Sequence, residues 1–182
     1  CNDVVSMELK DDSMQVTIEQ IQKAAANWSI EVTPAGAAKI NNFADCLDPG
    51  TTVNVTFLPG SDPMDTVAVA ERLHHEGMNP VPHLAARSLR DIEQLDSLLA
   101  AYTSRCGVNE VLVIGGGVDE PVGAFSDTMQ VLDTGLIQRY GIQNVGVAGH
   151  PEGSPDITHS EIAEALAAKN TLAKRDGLNM YI

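Results

Sequence analysis

The chain has 182 residues, 43% of them hydrophobic and 4% aromatic, which allows one domain-sized core built mainly of Ala, Val, Leu and Ile. Lys and Arg number 11 against 25 Asp and Glu, and the formal charge of -14 sets aside nucleic acid and anionic membrane surfaces as general partners, since both would repel it. No apolar run of about 18 residues offers a membrane span and no basic-then-apolar start marks a signal peptide, so a soluble cytoplasmic protein is expected.

Residues 1–16 lack periodicity and read as a loosely held N-terminal arm ahead of one domain over 17–182. Residues 17–27 predict a short helix capped by Thr17, with Ile18, Ile21 and Ala25 on one face. A rhythm then sets in. Apolar runs at 28–33, 52–57, 80–85, 110–115, 144–149 and 178–182 predict strands, and the stretches 36–47, 63–77, 88–105, 124–140 and 158–175 predict helices between them. The helix over 88–105 is the best marked. Ser88 is its expected cap, Asp91 lies in its first turn, Ile92, Leu95, Leu98 and Leu99 form its apolar stripe, and Gly107 stops it. Cys1, Cys46 and Cys106 lie far apart without a C-x-x-C pair, so neither a metal or redox motif nor a disulfide framework is expected. Cys46 and Cys106 read as small apolar core residues.

A strand–helix unit recurring about every 30 residues, without hairpin signals, argues for parallel strands joined by right-handed crossovers. Such units close either as an open doubly wound sheet or as a (β/α)8 TIM-type barrel. The barrel is favoured because polar groups end nearly every strand: Glu31 and Thr33, Thr56 and Phe57, His83 and Arg87, Gly115 to Gly117 with Asp119, and His150 with Glu152. A full barrel takes roughly 200 residues or more. Only about six βα units are present, so the barrel is expected to be truncated or incompletely covered. A half-open barrel would bare apolar strand edges, which favours a homo-oligomer.

The fifth strand leads into Ala148-Gly-His-Pro-Glu-Gly-Ser-Pro-Asp156, where prolines and glycines fix a loop before a helix capped by Thr158 or Ser160, with Glu161 in its first turn. On residue chemistry alone it is either a functional loop at a strand's carboxyl end or a βα turn that carries a histidine.

These segments together resemble the methylenetetrahydrofolate reductase family over about residues 28–182. Ser29-Ile-Glu-Val-Thr-Pro34 is similar to the family's S-x-E-x-x-P start, Val53-Asn-Val-Thr-Phe57 to its V-S-V-T-Y strand, and Pro82-His-Leu84 to its P-H-L. Phe125-Ser-Asp127 matches the segment after the flavin loop, and 148–156 resembles A-x-Y-P-E-x-H-P-E. The resemblance implies a flavin-dependent barrel in which Glu31 is the general acid that protonates the folate nitrogen, a role suited to a carboxyl group in a partly dry mouth. It implies FAD contacts for Thr56, Phe57, His83, Ser126, His150 and Lys169, with Glu31 and Thr56 also facing folate or nicotinamide. Taken alone, His83 reads equally as a satisfied core histidine and Lys169 as a solvated surface lysine. The family's fourth strand ends in L-R-G-D; here Ile114-Gly-Gly-Gly117 has neither charge. That leaves the Gly116 and Gly117 backbone as phosphate-approaching groups, and Asp119, two positions on, as the nearest carboxylate for cofactor and substrate.

The resemblance thus implies FAD-mediated hydride transfer from NADH or NADPH to 5,10-methylenetetrahydrofolate, with a small folate as partner and no metal. Two other readings stay open: a tetrahydrofolate-binding methyl-transfer or demethylation protein without reductase activity, and a structural subunit with a vestigial barrel mouth.

Overall fold

The computed structural model describes residues 17–24, 26–155 and 157–182; the expected N-terminal arm, Cys1, Ala25 and Asp156 lie outside the described residues. Six strands form the framework: β1 (Ser29–Val32), β2 (Thr52–Val55), β3 (Asn79–Ala85), β4 (Glu110–Ile114), β5 (Asn144–Val147) and β6 (Asn179–Tyr181). All are parallel and lie side by side in chain order. This order contains no reversal, and therefore no switch point of the doubly wound kind. Among the described residues β1 and β6 share no ladder, so each is an edge of the sheet.

β3 changes partners along its length. Asn79 to Pro82 pair with β2, whereas His83 to Ala85 pair with β4. Pro80 and Pro82 have no amide hydrogen to give, and the ladder to β4 begins only beyond the second of them. Staggered pairing of this kind curls a sheet. Residues of β1, β2, β3, β4 and β6 accordingly surround one cavity of about 350 Å³.

Alternation along the strands sorts the side chains. Val53, Val55, Leu84, Val111, Val113, Val145 and Val147 point to the convex face and are buried with Leu73, Leu95, Leu99, Ile137 and Leu172 of the helices. Each such burial contributes about 1.5–3 kcal/mol.

Those helices are α1 (Ile18–Ala24), α2 (Pro34–Ala37), α3 (Pro63–His75), α4 (Ile92–Arg105), α5 (Thr128–Leu132), α6 (Leu136–Arg139) and α7 (His159–Asp176). Asp62 caps α3, its side chain accepting from the Met64 amide at 2.9 Å, and Pro63 fills the first helical position. In α7 Thr158 and Glu161 form a reciprocal capping box, and Gly177 ends the helix at φ 68°. None of the described helices is long and apolar enough to cross a membrane.

Several expectations need correcting. Asp91, not Ser88, caps α4 by accepting from the Gln94 amide at 2.7 Å, and Ser88 lies in the 3-10 turn Ala86–Ser88. The helix expected over 124–140 is two short ones, because Gly135 at φ 69° breaks the chain between them. The helix expected over 36–47 stops at Ala37, followed by the 3-10 turn Phe43–Asp45. There the Arg72 guanidinium takes over the carbonyls of Ala37, Ile40 and Asn41 at 2.9, 2.7 and 3.0 Å, stacks on Phe43, and pairs with Glu76, whose carboxylate accepts from the Phe43 amide. Ile18 and Ile21 of α1 are 75% and 56% exposed, so this helix does not join the core. Cys106 is buried as expected, with burial foremost in pushing its thiol up to about 11, but Cys46 is exposed.

Candidate functional site

The concave face carries the polar half of the alternation. Ser29 and Glu31 come from β1, Thr52 and Asn54 from β2, His83 from β3, Glu110 and Leu112 from β4, and Tyr181 from β6, all lining the 350 Å³ cavity. Gly146 makes room for this arrangement. A Cβ there would meet Leu112 at 2.7 Å and Tyr181 at 2.9 Å, so only glycine lets both side chains lie over β5. The Tyr181 hydroxyl donates to Glu110 Oε1 at 2.5 Å, and desolvation together with that acceptor raises the phenol's pKa.

Glu31 is exposed at the carboxyl end of β1, and the Thr56 hydroxyl, just past the end of β2, donates to its Oε1. The pairing follows from the register, because β1 and β2 run in parallel and the Thr56 amide continues their ladder to the Val32 carbonyl at 3.0 Å. The openness of the described sheet leaves the Glu31 carboxylate wet rather than in the partly dry mouth expected of it.

His83 differs. It is 7% exposed, and both imidazole nitrogens are buried without a hydrogen-bond partner among the described residues. Burial lowers its pKa, with the Glu31 charge opposing. The satisfied core histidine is therefore not what is observed; this ring can donate once and accept once to something brought to it. Phe57 shares with His83 a second, very small cavity, backed by the buried Thr66 and Tyr102 hydroxyls 2.6 Å apart.

Three of the remaining expected residues gather instead where the carboxyl ends of the strands meet helix α7. Ser126, His150 and Lys169 line a separate cavity of about 250 Å³ between the ends of β4 and β5 and helix α7, together with Arg87 and Asp127. His150 is exposed, at φ 48° in the left-handed region. Lys169 is 7% exposed and its Nζ donates to the Ala148 carbonyl at 3.2 Å, so it is not the solvated lysine of the alternative reading. Gly116, at φ 95°, abuts Ala85, where an added Cβ would come within 3.3 Å; Gly117 is open. Asp119 is exposed, lines neither cavity, and is engaged through its carbonyl, which accepts from Arg87 Nη2.

Of the expected residues, Glu31, Thr56, Phe57 and His83 lie around β1 to β3, Ser126, His150 and Lys169 line the second cavity beside Arg87, and Gly116, Gly117 and Asp119 line neither cavity. Sequence reading passed over Glu110, Tyr181 and Asn54, although their parity with Leu112, Gly146 and Glu31 along alternating strands was the available signal. No protein-family model matches the chain.

Proposed function

We propose that the chain is a methylenetetrahydrofolate reductase-like oxidoreductase, built on the plan of a TIM-type barrel, that uses FAD to carry a hydride from NADH or NADPH to 5,10-methylenetetrahydrofolate and yields 5-methyltetrahydrofolate. The observation that carries this reading is that Glu31 of β1 and His83 of β3 line one cavity, with the Thr56 hydroxyl beyond β2 bonded to Glu31. The unbroken sequential order of parallel strands supports the barrel plan. A cytoplasmic homo-oligomer is part of the same proposal.

The donors present fit a flavin. His83 offers two unpartnered ring nitrogens to a heterocycle edged with alternating donors and acceptors, and Lys169 and Arg87 stand by for its phosphates. When bound, FAD supplies the two-electron chemistry between the nicotinamide and the methylene carbon. Glu31 gives its proton to the folate nitrogen as the methylene C–N bond breaks, so the bond's electron pair ends as N–H. The Thr56 hydroxyl, by donating to one Glu31 oxygen, leaves the other to carry and aim that proton. The closed convex core keeps these three strands in register while substrate comes and goes.

The purified protein should show a stoichiometric flavin spectrum that NADH or NADPH bleaches. A colourless protein that takes up no added FAD would sink the reading. Glu31→Gln should bleach normally with the nicotinamide yet lose about 10²–10⁴-fold in methylenetetrahydrofolate reduction. A variant with unchanged folate turnover removes the proton-donor role. One observation favours a second reading: the uncharged Gly115-Gly116-Gly117 strand end suits a tetrahydrofolate-binding methyl-transfer protein without flavin. Calorimetry detecting tetrahydrofolate but no FAD would select it.

A further inference from the structure

The very small cavity that His83 shares with Phe57 has a volume of about 10 Å³ and lies between the end of β3 and the helices α3 and α4. That is about the smallest space that holds one water molecule. Its polar lining comes from His83, Thr66, Ser88 and Tyr102. Among the described residues five buried side-chain polar atoms have no hydrogen-bond partner, and three of them, both ring nitrogens of His83 and Ser88 Oγ, belong to residues that line this cavity. Buried polar groups are costly to leave unpaired, and their gathering at one water-sized space points to a shared partner there.

The hydroxyls show which hydrogens that partner would meet. Thr66, 1% exposed on α3, donates to the Pro63 carbonyl at 2.6 Å. Its one hydrogen is then spent, so in its 2.6 Å contact with Tyr102 the phenol donates and Thr66 accepts. Tyr102, buried on α4, is left with acceptor capacity alone. Ser88, in the 3-10 turn after β3, has no acceptor for its hydrogen among the described residues. Burial lowers the His83 pKa, with the Glu31 charge opposing, so near neutral pH the ring is uncharged, one nitrogen donating and the other accepting.

We infer that this cavity binds one ordered water, which accepts from Ser88 Oγ and donates to Tyr102 Oη and to the unprotonated nitrogen of His83. Three bonds are what a buried water ordinarily makes, and here every hydrogen finds an acceptor. In the opposite tautomer the His83 N–H and Ser88 would both donate to the water, and one water hydrogen would be stranded. The water therefore fixes the His83 proton on its other nitrogen. His83 also lines the 350 Å³ concave cavity, so a ligand entering there meets the ring as a donor. Thr66, Ser88 and Tyr102 are positioning residues for that donor and act on it through the water. The water site needs no cofactor; its consequence for FAD, a ring offering one donated hydrogen, rests on the flavin reading.

The test uses the full, ligand-free protein with isotope-labelled histidine at about pH 8, above the ordinary imidazole range. Wild type, Tyr102→Phe and Ser88→Ala are compared by long-range proton–nitrogen spectra, each variant being checked by thermal melting. Wild-type His83 should appear as a single tautomer, its two nitrogen resonances far apart. Each variant removes one group that orients the water, so the tautomers should mix and that separation shrink. A crystal structure of the wild type should show a water about 2.7–3.2 Å from Ser88 Oγ, Tyr102 Oη and one His83 nitrogen. Mixed tautomers in wild type, an unmoved separation in either variant, or no water at that place overturns the inference. Should Tyr102→Phe fail to fold, Ser88→Ala and the crystal structure decide. The expected tautomer and water in a protein that takes up no added FAD would sink the flavin reading and leave the water site standing.

Discussion

Alternate residues of the same strands meet opposite fates. In β2, Val53 and Val55 are buried beneath helices while Thr52 and Asn54 face a cavity; in β4, Val111 and Val113 are buried while Glu110 and Leu112 face it. A parallel sheet covered on both sides reads instead as a continuous apolar run. The alternation therefore assigns stability to the convex face and recognition to the concave one, and a substitution one position along a strand changes which of the two is affected.

The largest effect should come from the convex side. Leu99→Ala, at a fully buried site on α4, should cost about 2–5 kcal/mol in urea denaturation, whereas Leu112→Ala, half-buried on the concave face, should cost less than about 1 kcal/mol. Similar costs at the two positions would break the comparison. A smaller effect should appear in acid at His83. Burial holds its folded pKa below the ordinary 6.5, with Glu31 opposing, so the folded protein binds fewer protons than the unfolded chain between the lowered value and 6.5. Stability should thus be fully present above about 6.5 and fall as pH drops through that window. His83→Asn should flatten that acid slope; an unchanged slope would remove His83 as its origin. The smallest effect should come from Tyr181→Phe at the sheet edge. It loses the Glu110 hydrogen bond from a side chain 44% exposed, and should cost under about 1 kcal/mol by the same denaturation assay.

Much of the architecture was legible because it rests on local signals. Short apolar runs marked all six strands to within a few residues, and a cap at Thr158 or Ser160 with Glu161 in the first turn marked the start of α7. What escaped depended on partners distant in sequence. Nothing near residue 37 says that its helix ends there, because the group that satisfies the freed carbonyls is Arg72. Ser88 has the residue type of a cap and Asp91 the geometry, a choice made by the 3-10 turn that follows β3. At the candidate site, sequence could gather polar residues at strand ends but could not divide them between two cavities. That division depends on how far α7 reaches back over β5 to bury Lys169. Nor could the polarity of His83 reveal that the surrounding strands give it no partner.

The Arg72 clasp has a kinetic side. The bonds that order the stretch after β1 span 31 to 35 residues of chain, so they cannot form until β2 and α3 have come together and that long loop has closed. By contrast, the start of α7 is secured by residues three apart, and can take shape as soon as they leave the ribosome. The earliest crossover in the chain is therefore completed late, on a surface supplied by the unit that follows it.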